Sequence, residues 1–323
     1  GRGYRLVNVL TSFEKNSLWM NFLYFLNTIR QIFVINTSAL VIISDNNYVI
    51  SRFKRKGVKV LQVWHAAGAI KKFGNAIHRE YPIANYDQVI CNGAYWKKPY
   101  SEAFNVSEEQ VSVTGMPRLD HLLDDAFIRS SREKLFAQHP EWKGKKLLLY
   151  APTWRDNSFV AAGYTFELQA DFRKWKEMLA DEYVLLFKPH YLIINKFSDT
   201  EELNGFLYNV DASSEISDLY LIADVLVTDY SSVFFDYAIL GRPIYFYMYD
   251  LDSYREELRG FYIDIYSDLP GDIYEDEEMM LKDIREGNFD RERLSQFNAR
   301  FNEHEDGHAS QRVIDIVFGE ERS

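Results

Sequence analysis

The sequence predicts an α/β protein of two layered halves, each built on a parallel sheet. Three observations carry this. Short apolar runs such as Val41–Ile43, Leu147–Tyr150 and Val225–Val227 alternate along the chain with longer amphipathic stretches, the pattern of buried parallel strands joined by helices. The chain has 323 residues, 47% of them apolar, enough for one large core or two smaller ones. The charge also divides. Residues 1–128 hold 15 Lys and Arg against 10 Asp and Glu, net +5, and residues 129–323 hold 22 against 38, net −16. Two domains with different partners follow, 1–128 and 129–323, with the boundary in or just before the polar stretch 129–144.

Composition also excludes. One cysteine, Cys91, rules out an internal disulfide framework and a cysteine-rich metal site. No signal-peptide pattern and no apolar run long enough to span a bilayer is present in the sequence given. The net charge of −11 argues against general nucleic-acid binding, while the basic first half suits anionic lipid or a phosphorylated acceptor. The chain opens Gly-Arg-Gly rather than with Met, so a missing start or a tag remnant is expected.

In the first half, Arg5–Val9 is a weak strand candidate. Leu18–Ile35 reads as a helix on which Leu18, Trp19, Phe22, Phe25, Leu26, Ile29 and Phe33 share one wide arc. That arc has two readings, a core-facing side or a face that touches a membrane surface. Ala39–Ser44 is a strand, and the helix after it ends in Arg52, Lys54, Arg55 and Lys56, either a solvated helix end or a lipid-attracting cluster. Lys59–Val63 is the next strand and runs into Trp64-His65-Ala66-Ala67-Gly68. A histidine just past a strand's C-terminal end lies where open α/β sheets bind ligands. The plain alternative is a core histidine in a tight turn, which nearby Lys71 and Lys72 make less apt. Tyr86–Asn92, Val111–Gly115 and a helix from Arg118 complete the half.

In the second half, Lys146–Tyr150 is a strand leading to Ala151-Pro152-Thr153-Trp154-Arg155, where Arg155 can hold a phosphate bidentately or form a surface ion pair. Leu168–Ala180 is helical, and the strand Tyr183–Phe187 ends in Lys188-Pro189-His190. Leu207–Val210 is short, and the helix Ser214–Ala223 leads to the strand Val225–Val227. The turn Thr228-Asp229-Tyr230 follows, then a helix capped by Ser231 or Ser232, stopped by Gly241 and Pro243. Such a turn offers backbone N–H groups and two hydroxyls to a phosphate, or the serines merely cap. Pro243–Tyr249 is another strand, and Leu281–Phe318 forms two or three helices. Parallel topology brings Arg155, Lys188 with His190, and Ser231 with Ser232 to one sheet edge. His304 and His308 have helical spacing but no third ligand in a recognised motif, so no protein-bound metal or other cofactor is expected.

Taken together, Trp64–Gly74, Gly115-Met116-Pro117-Arg118, Ala151–Arg155, Lys188-Pro189-His190 and Asp229–Asp236 resemble the CDP-glycerol glycerophosphotransferases of wall teichoic acid synthesis. The resemblance spans about Val41 to Tyr262, and the His-Ala-Ala-Gly-Ala-Ile-Lys-Lys version of the first motif is closer to the glycerol-phosphate primase than to the polymerase. It implies a GT-B architecture, two Rossmann-like domains facing across a cleft. It implies transfer of glycerol phosphate from CDP-glycerol to an undecaprenyl-diphosphate-linked disaccharide, with CMP leaving. It also implies a peripheral place on the cytoplasmic face of the bacterial membrane, with other teichoic acid enzymes as partners. Relative to the family, the first domain reads as one βα unit short.

On this resemblance the acceptor hydroxyl attacks the β-phosphorus of CDP-glycerol. His65 is the expected general base, since histidine as a residue type titrates near working pH. His190 is expected to stabilise the pyrophosphate or to protonate the leaving CMP. Thr153, Arg155, Lys188, Asp229, Ser231 and Ser232 are expected to hold the donor, with Asp236 accepting from a ribose hydroxyl or facing solvent. Gly68, Lys71 and Lys72 are expected on the acceptor side. Other readings are a poly(glycerol phosphate) or poly(ribitol phosphate) polymerase of teichoic acid or capsule, a GT-B glycosyltransferase using a UDP-sugar, and a non-catalytic membrane-binding protein that kept the fold.

Overall fold

Twelve short strands and the helices between them are seen in a computed structural model that describes residues 5–9, 17–153, 159–160, 163–164, 169–190, 201–211, 214–251 and 260–319. They group into two units. The first comprises Gly1–His65, Phe73–Cys91 and Trp96–Val113, and the second Ala66–Lys72, Asn92–Tyr95 and Thr114–Ser323.

The first unit begins with α1 (Leu18–Thr37), whose N-cap Ser17 accepts from the Met20 N–H at 3.2 Å. Leu18, Trp19, Phe22, Phe25, Leu26, Ile29 and Phe33 are all exposed, and Ile35 is the one buried residue of the helix. The core-facing reading of this arc therefore fails, because among the described residues nothing buries it. Residues 5–9, expected as a weak strand, run as coil outside the sheet. The sheet consists of β1 (Leu40–Ile43), β2 (Lys59–Gln62), β3 (Gln88–Cys91) and β4 (Val111–Val113), parallel and in that order, with α2 (Tyr48–Phe53) and α3 (Lys97–Phe104) in the connections. Val60, Leu61, Val89 and Ile90 are buried, as are Trp96, Tyr100 and Phe104, with the Tyr100 ring against both Trp96 and Phe104. The basic cluster at and after the end of α2 is partly structural. Lys54 pairs with Asp87, and Arg55 donates to the Asn36 carbonyl at 3.4 Å, while Arg52, Arg55 and Lys56 are all exposed.

In the second unit α4 (Asp125–Gln138) lies across much of the polar stretch read around 129–144, and a 3-10 turn, Pro117–Leu123, precedes it. Pro117 fixes the start of that turn, and Asp124 then caps α4 by accepting from Ala126 and Phe127 N–H. The sheet strands are β5 (Lys146–Ala151), β8 (Tyr183–Phe187), β9 (Leu207–Asn209), β10 (Val225–Thr228), β11 (Ile244–Tyr247) and β12 (Ile273–Tyr274). A separate hairpin is formed by β6 (Phe159–Val160) and β7 (Gly163–Tyr164). The helices are α5 (Phe172–Leu179), α6 (Ile216–Ile222), α7 (Val233–Ala238), α8 (Ile265–Asp268), α9 (Glu277–Glu286), α10 (Arg291–Phe301) and α11 (Ala309–Phe318).

All six sheet strands are parallel, in the order β12-β11-β10-β5-β8-β9. β8, β10 and β11 are buried along their whole length and β5 beyond its first residue, which is why they read as unbroken apolar runs rather than alternating ones. One core gathers Tyr150, Trp175, Leu185, Phe187, Val227, Tyr245 and Met280. β5 and β10 are neighbours, and the strand order runs outward from them in both directions, so the switch of sheet direction lies between their C-terminal ends. The carboxyl end of α10 closes over α7, with Phe301 against Phe235 and the Asn302 side chain donating to the Phe235 carbonyl at 2.9 Å.

Candidate functional site

The switch point of the larger sheet is tied together by backbone and side-chain contacts. Thr228, the last residue of β10, donates its hydroxyl to the Ala151 carbonyl at the end of β5, 2.8 Å away. Asp229 follows, buried, and its carboxylate oxygens lie 2.9 and 3.2 Å from the Thr153 N–H. Asp229 thus clamps the β5 loop to the β10 loop. Ser231 and Ser232 come next, both half-buried.

These serines are not ordinary caps. Ser232 occupies the N-cap position of α7 with helical backbone angles and no side-chain cap hydrogen bond, while Ser231 Oγ accepts from Val233 N–H only at 3.5 Å. α7 has six residues, shorter than the helix expected up to Leu240, so the serine hydroxyls rather than a helix dipole are the assets of this loop. On the other side of β5, β8 ends in Lys188 and His190. The Lys188 N–H donates to the Tyr150 carbonyl, which fixes where its side chain leaves the strand. Burial lowers the Lys188 ammonium pKa, with Asp211 and Glu215 acting against it. Burial, helped by Lys188, pushes the His190 imidazole down to about 4, so it is neutral at physiological pH. Three adjacent strands, β10, β5 and β8, thereby deliver Ser231, Ser232, Thr153, Lys188 and His190 to one edge of one sheet. Arg155 lies outside the described residues.

Asp236 does not face solvent. It is buried, and its two oxygens take a bidentate pair from Arg118, with Nη1–Oδ2 at 2.9 Å and Nη2–Oδ1 at 2.6 Å. A ribose hydroxyl would meet a carboxylate already engaged. The sequence motif Gly115-Met116-Pro117-Arg118 does not by itself disclose this partner. The motif also needs Gly115, which sits at φ +77° with space for a Cβ blocked by the His304 carbonyl at 2.3 Å. Glu305 joins the same cluster by accepting from the Met116 N–H at 2.9 Å. Its carboxyl is pushed up to about 8, chiefly by burial and also by the nearby Asp236 and Asp120 charges, against Arg118 and the Met116 hydrogen bond. No sequence signal marked Glu305, since one glutamate in an acidic tail looks like its neighbours. His304 and His308 join no group of three metal-binding side chains among the described residues.

In the first unit, His65 follows β2 and is exposed, with Nδ1 3.0 Å from the Ser44 carbonyl. Gly68 is buried, and Lys71 and Lys72 are exposed. These three belong to the second unit, where Lys71 bridges antiparallel to Phe261 and the Lys72 N–H donates to the Gly260 carbonyl at 2.8 Å.

A family model described as CDP-glycerol:poly(glycerophosphate) glycerophosphotransferase matches residues 2–319. The chain is 37% identical over 300 residues to a teichoic acid poly(ribitol-phosphate) polymerase of Bacillus spizizenii, across 88% of this chain and 47% of that protein. It is also 37% identical over 290 residues to a teichoic acid glycerol-phosphate transferase of Staphylococcus aureus, across 82% of this chain and 72% of that one. The chain thus spans about half of the first relative and more than two thirds of the second. Among solved structures it is similar to the wall teichoic acid polymerase TagF soaked with CDPG. That match has a TM-score of 0.75 and 31% identity, covering 87% of this chain and 73% of that one. The architecture is of the GT-B type, with two Rossmann-like units.

Proposed function

The chain belongs to the CDP-glycerol:poly(glycerophosphate) glycerophosphotransferase family, and from that premise we propose that it transfers glycerol phosphate from CDP-glycerol to an undecaprenyl-diphosphate-linked disaccharide, releasing CMP. The observation that carries the reading is the switch point between β5 and β10, where the Asp229 clamp on Thr153 holds two loops side by side and leaves the serine hydroxyls uncommitted to capping. Phosphoryl transfer rests mainly on positioning and charge stabilisation, and this edge supplies hydroxyls, a buried ammonium and a neutral imidazole.

In this mechanism Ser231, Ser232 and Thr153 hold the donor phosphates, with Arg155 as a further donor, and Lys188 balances their charge. Neutral His190 donates a hydrogen bond to the diphosphate. Its lowered pKa favours that role over proton delivery by a preformed imidazolium. His65 takes the proton of the attacking hydroxyl. Asp229 and Asp236 act as clamps that set the loop and α7. Lys71 and Lys72, exposed cations beside buried Gly68, meet the anionic acceptor. In this scheme residues 1–128 serve the acceptor and 129–323 the donor.

Attachment to the cytoplasmic face of the membrane is part of the proposal. Among the described residues no helix is long and apolar enough to cross a membrane, but α1 exposes Trp19, Phe22, Phe25 and Phe33 along one arc. The polymerase reading is kept because the ribitol polymer-forming relative is as similar, at 37%, as the transferase.

The test is CMP release from CDP-glycerol with a short-chain lipid analogue of the diphosphate-linked disaccharide, and mass analysis of the product. One added glycerol phosphate is expected. A ladder of products makes the chain a polymerase. Silence with CDP-glycerol and turnover with CDP-ribitol or a UDP-sugar replaces the donor.

A further inference from the structure

The loop that carries His65 is fixed by a residue the reaction does not use. Gln62, at the end of β2, is fully buried, yet both ends of its amide are satisfied. Its Oε1 accepts from the Trp64 N–H at 2.8 Å, and its Nε2 donates to the Asp45 carbonyl at 3.1 Å. Leaving such groups unpaired in the interior is costly, so the amide holds the loops after β1 and β2 in one arrangement. Trp64 has φ +52°, a left-handed conformation that bulky residues rarely adopt. Its ring is held in place by stacking on Phe73, 4.8 Å away and 14° off parallel, and by an edge contact with Phe104 at 5.1 Å. The next residue is His65, whose Nδ1 lies 3.0 Å from the Ser44 carbonyl at the end of the neighbouring strand. A carbonyl only accepts, so in the neutral ring the hydrogen sits on Nδ1 and Nε2 keeps its lone pair.

We propose that Gln62 is a positioning residue for His65: through the Trp64 N–H it holds the left-handed turn that sets Nδ1 against the Ser44 carbonyl, and so fixes the imidazole as the Nδ1–H tautomer with Nε2 as its basic nitrogen. The proposal rests on the reading of His65 as general base. Its structural half is testable without that reading.

The experiment is a long-range 1H–15N correlation spectrum of the full chain labelled with 15N-histidine, with the His65 signals assigned by their loss in His65→Ala. In the wild type the neutral His65 ring is expected in the Nδ1–H form. In Gln62→Met, which keeps the side-chain volume and removes both hydrogen bonds, the spectrum is expected to shift toward the Nε2–H form that imidazoles favour in water. Turnover with CDP-glycerol should fall roughly 10–100-fold, the scale typical of lost supporting hydrogen bonds, with KM for the donor little changed. An Nε2–H tautomer in the wild type overturns the proposal, and so does a Gln62→Met protein that keeps both tautomer and turnover. The wild-type arm uses the intact protein and can overturn the proposal even if Gln62→Met fails to fold. Full activity in His65→Ala, with the Nδ1–H tautomer observed, removes the general-base reading and leaves the geometry standing.

Discussion

The two histidines differ in setting, and the difference makes each testable. His65 is exposed after β2, and His190 is half-buried after β8. His65→Ala is expected to lower turnover about 10²–10⁴-fold, the usual loss for a general base, with the fold retained because His65 is exposed and its ring contact is with the neighbouring Trp64. Near-normal turnover in a folded His65→Ala removes it as the base. For His190, the lowered pKa means that its ring signals stay constant from about pH 8 to pH 5.5 and move only toward pH 4 in the free protein. An inflection near pH 6.5 contradicts the burial argument. Both histidines lie just past strand ends, as the sequence predicted, because a histidine after a strand is a local pattern. Sequence reasoning left Asp236 between a ribose hydroxyl and solvent, because the Arg118 that engages it is 118 residues away and only the fold brings the two together.

At the scale of elements, the strands were legible because buried parallel strands are apolar on both faces, and their ends marked the candidate site. The fate of α1 was not, since an amphipathic arc reads the same whether it covers a core or meets lipid. Only the exposure of Trp19, Phe25 and Phe33 separates the two. Vesicles containing phosphatidylglycerol are expected to capture the chain in flotation assays. Trp19→Glu with Phe33→Glu should weaken this about tenfold or more, since each large apolar side chain contributes roughly 1.5–3 kcal/mol when fully buried. Equal flotation of the variant excludes α1 as the contact. The link between the 3-10 turn and α7 is also measurable. Arg118→Ala leaves Asp236 buried without its partner. An unpaired buried charge costs about 3–5 kcal/mol, reduced here to about 2–3 because the Arg118 side chain is 33% exposed. Arg118→Lys is expected to recover only part of it, as an ammonium cannot reproduce the bidentate fork. If Arg118→Ala melts like wild type in denaturant titration, the pair is not holding α7.

At the scale of the whole molecule, the same buried groups set how stability responds to pH. Glu305 has an ordinary carboxyl pKa when unfolded and is pushed up to about 8 when folded, so the folded state keeps a proton that the unfolded state gives up. Its contribution is fully present below about pH 4.5 and is lost as pH rises toward 8. His190 works in the opposite direction. It is held near 4 when folded against about 6.5 unfolded, so its contribution falls as pH drops through that window. Between about pH 4.5 and 6.5 the two slopes oppose each other, and above pH 6.5 only Glu305 remains of this pair. The melting temperature is therefore expected to decline from pH 6.5 to 8. Glu305→Gln should flatten that decline, because the amide keeps the acceptor for the Met116 N–H and imitates the protonated acid beside Arg118, Asp236 and Asp120. His190→Ala should leave the alkaline slope unchanged and soften the acid one. Calorimetric scans at half-unit pH steps decide it: a Glu305→Gln protein with the wild-type slope above pH 6.5 would show that the carboxyl is ionised in the fold, and the cluster would then have to hold three carboxylates against a single arginine.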